Sequence, residues 1–115
     1  MSSYDPTDIQ QQERDASEVD KRRRLARDTD ESDFKWLMGR KQGRRIVWRL
    51  LERAGVFRSS FNTNSMAMAF AEGCKNEGLH LMAQIHALCP ELYQPMVKEA
   101  NDNRNPDDDR SRNAN

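Results

Sequence analysis

From Ser65 to Leu88 the apolar side chains return every three or four residues, the spacing that places them on one side of an α-helix. Projected at about 100° per residue, Met66, Phe70, Cys74, Gly78, Leu81, Ile85 and Leu88 fall with Ala67, Ala71 and Met82 into one broad arc. That arc predicts the core face of a long helix. Met68 and Leu79 stand outside it beside Glu72 and Asn76, so these four mark a second face of the same helix, one that can meet a second partner. Lys41 to Ala54 has the same period. Ile46, Val47, Leu50, Leu51 and Ala54 gather on one side, and Lys41, Arg44, Arg45, Arg49, Glu52 and Arg53 on the other. Trp48 falls among the charged residues, on the wrong side for the core of its own helix.

The punctuation around these segments supplies two further helices. Ser32 can cap a short one carrying Phe34, Trp36, Leu37 and Met38, with Gly39 to end it. Gly55 closes the second in left-handed geometry, and "VFRSSFNTNS" follows as a loop whose side chains compete for backbone hydrogen bonds. Cys89 and Pro90 begin a last helix reaching Glu99, with Pro95 near its second turn and placed to delay or bend it. No segment alternates with the period of a strand. The fold class is therefore all-α, a small domain of about four helices over residues 31–100.

Composition limits what lies outside that domain. With 115 residues, 36% hydrophobic and 33% charged, the chain has material for one small core and polar ends. Residues 1–30 form a polar arm in which Asp5 can cap a helix and Pro6 can open it. Its Ile9, Ala16, Val19 and Leu25 are too sparse for a core-facing stripe, which predicts a frayed or solvated helix that orders on a partner. Residues 101–115 contain no large apolar side chain and read as a disordered polar tail.

Charge changes the picture because its total conceals its distribution. The 19 basic and 19 acidic groups cancel, yet residues 34–58 hold 8 basic groups and 1 acidic group, while residues 1–33 hold 6 and 10. Arg40, Lys41, Arg44, Arg45, Arg49, Arg53 and Arg58 with Trp48 make up the candidate binding surface. Trp48 has three readings: covered by a neighbouring helix, presented to a second protein as Trp and Arg often are at interfaces, or offered to a nucleic acid base. The arginines can equally neutralise phosphates or pair with the acidic arm of this or another copy, so self-association stays open. "LLERAGVFRSSF" also looks like the turn of a helix-turn-helix, which makes a DNA-binding regulator or packaging accessory the alternative function. The run Phe61 to Ser65 opposes that reading, because it is poor in helix formers where a recognition helix should continue.

Catalytic and metal chemistry find no foothold, and no metal or cofactor is expected. His80 and His86 lie six apart on different sides of a helix, and neither cysteine joins them on one face. Glu72 and Glu77 do not face each other, and Asp107, Asp108 and Asp109 sit on a tail that cannot preorganise a cation site. Cys74 and Cys89 would stand roughly 22 Å apart on one continuous helix, beyond the approximately 7 Å reach of a disulfide, so two reduced thiols are expected. No apolar run of about 18 residues predicts a membrane span, and the first residues do not read as a secretory leader.

Three linked stretches carry a resemblance. "DFKWLMGRKQGRRIVWRLLERAGVFRSSF", "FAEGCKNEGLHLMAQI" and "CPELYQPMVKEA" resemble, in order and spacing, a family of small tailed-bacteriophage proteins whose type member comes from a Bordetella phage. The similarity covers Asp33 to Ala100 and carries over Gly43, Arg44, Trp48, Gly55 and Phe57 in the first stretch, Glu72, Gly73 and Gly78 in the second, and Cys89, Pro90 and Tyr93 in the third. Lys75 stands where the family pattern has Arg, and Cys74 where Gln is usual. The resemblance implies a product of the phage structural and morphogenesis region, with portal or capsid proteins as partners and DNA as the alternative. It brings no enzymatic activity. It places the chain in the host cytoplasm during assembly and then in the virion.

Overall fold

The computed structural model describes residues 6–104, which form α1 (Pro6–Met38), α2 (Lys41–Ala54), α3 (Ser65–Leu88), a 3₁₀ turn (Pro90–Leu92) and α4 (Tyr93–Arg104). No strand occurs among the described residues, and the fold is all-α. The chain divides into two compact units, Met1–Phe34 and Lys35–Asn115. Asp5, expected as a cap, lies outside the described residues, as do Asp107, Asp108 and Asp109.

In the first unit the described residues are helical and almost all exposed; Val19 and Leu25 are among the open apolar side chains, and Phe34 is buried. The short helix expected from Ser32 is instead the end of α1. No glycine or proline interrupts the sequence between Pro6 and Gly39, so nothing breaks the backbone ladder before Gly39. Local side-chain pairs four residues apart reinforce it: Gln11 Nε2 donates to Asp15 Oδ1 at 3.2 Å and Arg22 faces Glu18 at 3.7 Å.

The second unit is organised by its helix ends. The Gly39 amide donates to the Lys35 carbonyl at 2.9 Å, and Arg40, extended at φ −109° and ψ 139°, turns the chain into α2. At the far end Gly55 adopts φ 78°. Its amide reaches the Glu52 carbonyl at 3.1 Å and the Val56 amide reaches the Leu51 carbonyl at 3.3 Å, a Schellman closure. Asn64 caps α3 by accepting from the Met66 and Ala67 amides at 3.0 and 3.1 Å. The 3₁₀ turn begins at Pro90 and delays the last α-helix to Tyr93, which puts Pro95 in the first turn, where its missing amide costs no helical bond. Residues 101–104, read from sequence as tail, are the last turn of α4.

Met38, Val47, Leu51, Ile85, Cys89 and Met96, each no more than 1% exposed, form the core. Around it α2 packs against both α3 and α4. Gly78 permits the contact of α2 with α3, since a Cβ there would collide with Val56 Cγ2 and lie 2.6 Å from Ala54 Cβ, and Gly43 permits the close turn from α1 into α2, since a Cβ there would collide with the Leu37 carbonyl oxygen. The buried face is narrower than the periodicity predicts. Ile46 and Leu50 are nearly half exposed, and Met66 and Phe70 are 82% and 76% exposed. The contact at Gly78 explains the latter pair, since Phe70 lies eight residues upstream, about 12 Å along the helix axis, past the end of α2.

Candidate interaction surface

Gly43, Val47 and Leu51 are the buried residues of α2, so Arg44 and Trp48, each one residue further on, lie at the edge of the core face. Both are partly buried. Arg44 turns inward to α4: its Nε donates to both carboxylate oxygens of Glu99 at 3.2 and 3.1 Å, and its Nη2 donates to Oε1 at 2.7 Å. Its remaining nitrogen, Nη1, donates to the Met38 carbonyl at 2.9 Å, capping the end of α1. These hydrogen bonds hold the Glu99 carboxyl below its ordinary range, helped by the positive charges of Arg44, Lys41 and Arg45.

Trp48 is fixed on two sides. Its ring stacks on Phe57 with centroids 4.9 Å apart and planes at 27°, and its Nε1 donates to Glu52 Oε1 at 2.7 Å. The same carboxylate oxygen accepts from Arg104 Nη2 at 2.6 Å, so a relay runs from Phe57 through Trp48 and Glu52 to the last residue of α4. Trp48 is the wall shared by two open grooves between α2 and α4. One, of about 330 Å³, is lined by Lys41, Arg45, Arg49, Glu52, Met96, Glu99 and Arg104 among others. The other, of about 660 Å³, shares Glu52 and Arg104 with the first and is otherwise lined by Arg53, Phe57, Arg58 and Asn101.

The basic residues singled out from the sequence thus divide. The Arg40 guanidinium lies 4.4 Å from the centroid of the Trp36 ring, Arg44 pairs with Glu99, and Arg58 donates to the Glu52 carbonyl at 3.1 Å. Lys41, Arg45, Arg49 and Arg53, four residues apart, form an exposed ridge along α2 that makes no ion pair among the described residues. Met68, Glu72, Asn76 and Leu79 share one side of α3, with Met68 half-buried and the other three exposed. Glu99, Arg104 and Phe57 complete the surface around Trp48; the family resemblance had carried over Phe57, whereas Glu99 and Arg104 were not picked out from the sequence. These two lie more than fifty residues from their partners on α2, and no local pattern links them.

Among the described residues no three His, Cys, Asp or Glu side chains cluster as metal ligands, and no helix is long and apolar enough to cross a membrane. Cys74 is half-buried and Cys89 buried; both are free thiols, and burial raises the pKa of Cys89, with the Glu91 carboxylate adding to the shift. His86 packs against the Tyr93 ring, with ring centroids 5.1 Å apart. A family model described as Bbp19-like phage protein matches residues 34–98, a span that holds α2, α3 and every residue of the ridge. No curated protein and no solved structure matches the chain.

Proposed function

The chain belongs to the Bbp19-like phage protein family, and from that premise we propose that it is a non-enzymatic assembly protein that contacts another phage structural protein through the grooves at Trp48. The observation that carries this reading is the setting of Trp48. A tryptophan held by Phe57 and Glu52, partly buried and bordered by both cations and carboxylates, offers apolar area with little ordering cost and a mixed-charge rim. The Glu52 and Glu99 carboxylates in the same groove oppose a phosphate backbone. Partners of the portal and capsid class fit the family context, with action in the host cytoplasm during assembly and then in the particle.

One observation favours DNA as a second reading: the ridge Lys41, Arg45, Arg49 and Arg53, which makes no ion pair among the described residues. It does so without a helix-turn-helix. Residues 55–64 separate α2 from α3, far longer than the tight turn of that motif. The deciding experiment is duplex DNA binding by the purified chain across about 50 to 200 mM salt, run beside analytical ultracentrifugation. The protein-contact reading expects weak binding at every salt concentration. Tight binding that collapses as salt rises assigns the ridge to phosphates and overturns it.

A further inference from the structure

Away from Trp48, three large apolar side chains stand open at one end of α3: Phe61, Met66 and Phe70 are 79%, 82% and 76% exposed. Phe61 and Phe70 wall one groove of about 330 Å³ that also includes Ala71 and Cys74. Met66 precedes Phe70 by one turn, on the same stripe. Arg53 and Arg58 border the groove, and among the described residues no acidic side chain lines it. The backbone of the loop that carries Phe61 is tied by three hydrogen bonds. Lys75 Nζ donates to the Arg58 carbonyl at 3.1 Å, Ser59 Oγ accepts from the Phe61 amide at 3.2 Å, and Asn62 Oδ1 accepts from the Asn64 amide at 2.8 Å. Beyond the groove, a Cβ at Gly73 would meet nothing within 4 Å, so a second backbone can approach α3 closely there.

Contiguous apolar surface of this kind marks a docking site, and the charge of its border selects the occupant. We propose that this groove receives a helix of a second phage protein that presents large apolar side chains one turn apart, flanked by carboxylates. This rests on the reading of the chain as an assembly protein and adds a contact beside the one at Trp48, with Arg53 and Arg58 bordering both. Through α2 a second copy of this chain is a poor occupant, because its exposed apolar pair there, Ile46 and Leu50, is interleaved with Arg45, Arg49 and Arg53, which would bring like charge against Arg53 and Arg58. On α1 the exposed Val19 and Leu25 lie six residues apart and do not share one face, so that helix does not offer apolar side chains one turn apart.

Cys74 reports on the groove, while Cys89, buried, serves as an internal check of the fold. The full chain is alkylated with iodoacetamide in the presence of a synthetic amphipathic helix bearing leucines on one face and glutamates beside them, and in parallel with its lysine counterpart. The glutamate peptide is expected to slow alkylation of Cys74 by about tenfold or more, and the lysine peptide to have little effect, because like charge across a rim disfavours association. The double variant Phe61→Ser, Phe70→Ser should lose the protection while Cys89 stays unreactive. Equal protection by both peptides, protection that survives in the double variant, or no protection by the glutamate peptide overturns the proposal. So does protection that rises with the concentration of the chain alone, which would make a second copy the occupant. The double variant leaves α2 and Trp48 intact. Its incorporation into particles at the wild-type level, with no peptide protection, removes the groove proposal only, whereas absence of the wild-type chain from particles removes the assembly reading.

Discussion

Arg44 and Glu99, fifty-five residues apart, form a forked ion pair that ties α2 to α4, and the same guanidinium caps the end of α1 through the Met38 carbonyl. One side chain therefore joins three helices. With side chains 13% and 24% exposed, the pair is shielded enough to matter for stability and open enough for water to share its charge.

Replacing Arg44 with Ala is expected to cost about 2 kcal/mol in urea unfolding, between the values of a surface pair and an enclosed one. Arg44→Lys recovers only part of this, because an ammonium cannot fork to Glu99 and reach Met38 as well.

Acid should weaken the same contact. The folded-state pKa of Glu99 lies below its ordinary value of 4.5, chiefly through the Arg44 hydrogen bonds. The stabilisation is thus present above the unfolded-state value and disappears as pH falls through the folded one. Glu99→Gln should be less stable than the parent at neutral pH and converge with it in acid, as followed by thermal melting against pH.

The glycines on α2 and α3 separate by what surrounds them. Gly43→Ala drives a methyl into the Leu37 backbone and Gly78→Ala drives one into Val56 and Ala54. Losses of about 3 kcal/mol and about 1–3 kcal/mol, respectively, are expected for these overpacked contacts. Gly73→Ala meets open space and should stabilise the helix by about 0.5–1 kcal/mol. Denaturant midpoints of the three variants give the order directly.

At Trp48 two contributions can be separated. Trp48→Phe retains a ring against Phe57 and loses the Nε1 bond to Glu52, at a cost of about 1 kcal/mol. Trp48→Ala loses both, about 2 kcal/mol in all, with the far-ultraviolet circular dichroism of the helices nearly unchanged. A variant that unfolds outright would make Trp48 a core residue and end its role as a contact.

Much of this architecture was legible because its signals are local. Gly55 and the Asn62-to-Ser65 cluster fixed where α2 stops and α3 starts, since a left-handed cap and a side-chain cap need only neighbouring residues. Ser32 misled for the converse reason. A residue suited to capping is also tolerated inside a helix that arrives from upstream, and α1 runs through it. Helical periodicity identified an apolar face on α2 and on α3 but could not say where the neighbours of each end, so Ile46, Leu50, Met66 and Phe70 were expected in the core and are exposed. Of the surface at Trp48, the α2 half was visible and the α4 half was not. Glu99 and Arg104 reach Arg44 and Glu52 only through folding, and Phe57 lay in what read as loop.

The most direct measurement of the central claim compares the amount of chain in purified phage particles and assembly intermediates for the wild type and for the double variant Trp48→Ala, Arg49→Glu. Arg49 is exposed on the ridge and borders the Trp48 groove, so its reversal alters the surface without entering the core. The wild-type chain is expected to co-sediment with the particles at a defined stoichiometry, and the folded double variant to be depleted by about tenfold or more, as for loss of an aromatic anchor and reversal of a rim charge. Incorporation of the double variant at the wild-type level, or a wild-type chain absent from every assembly species, would contradict it.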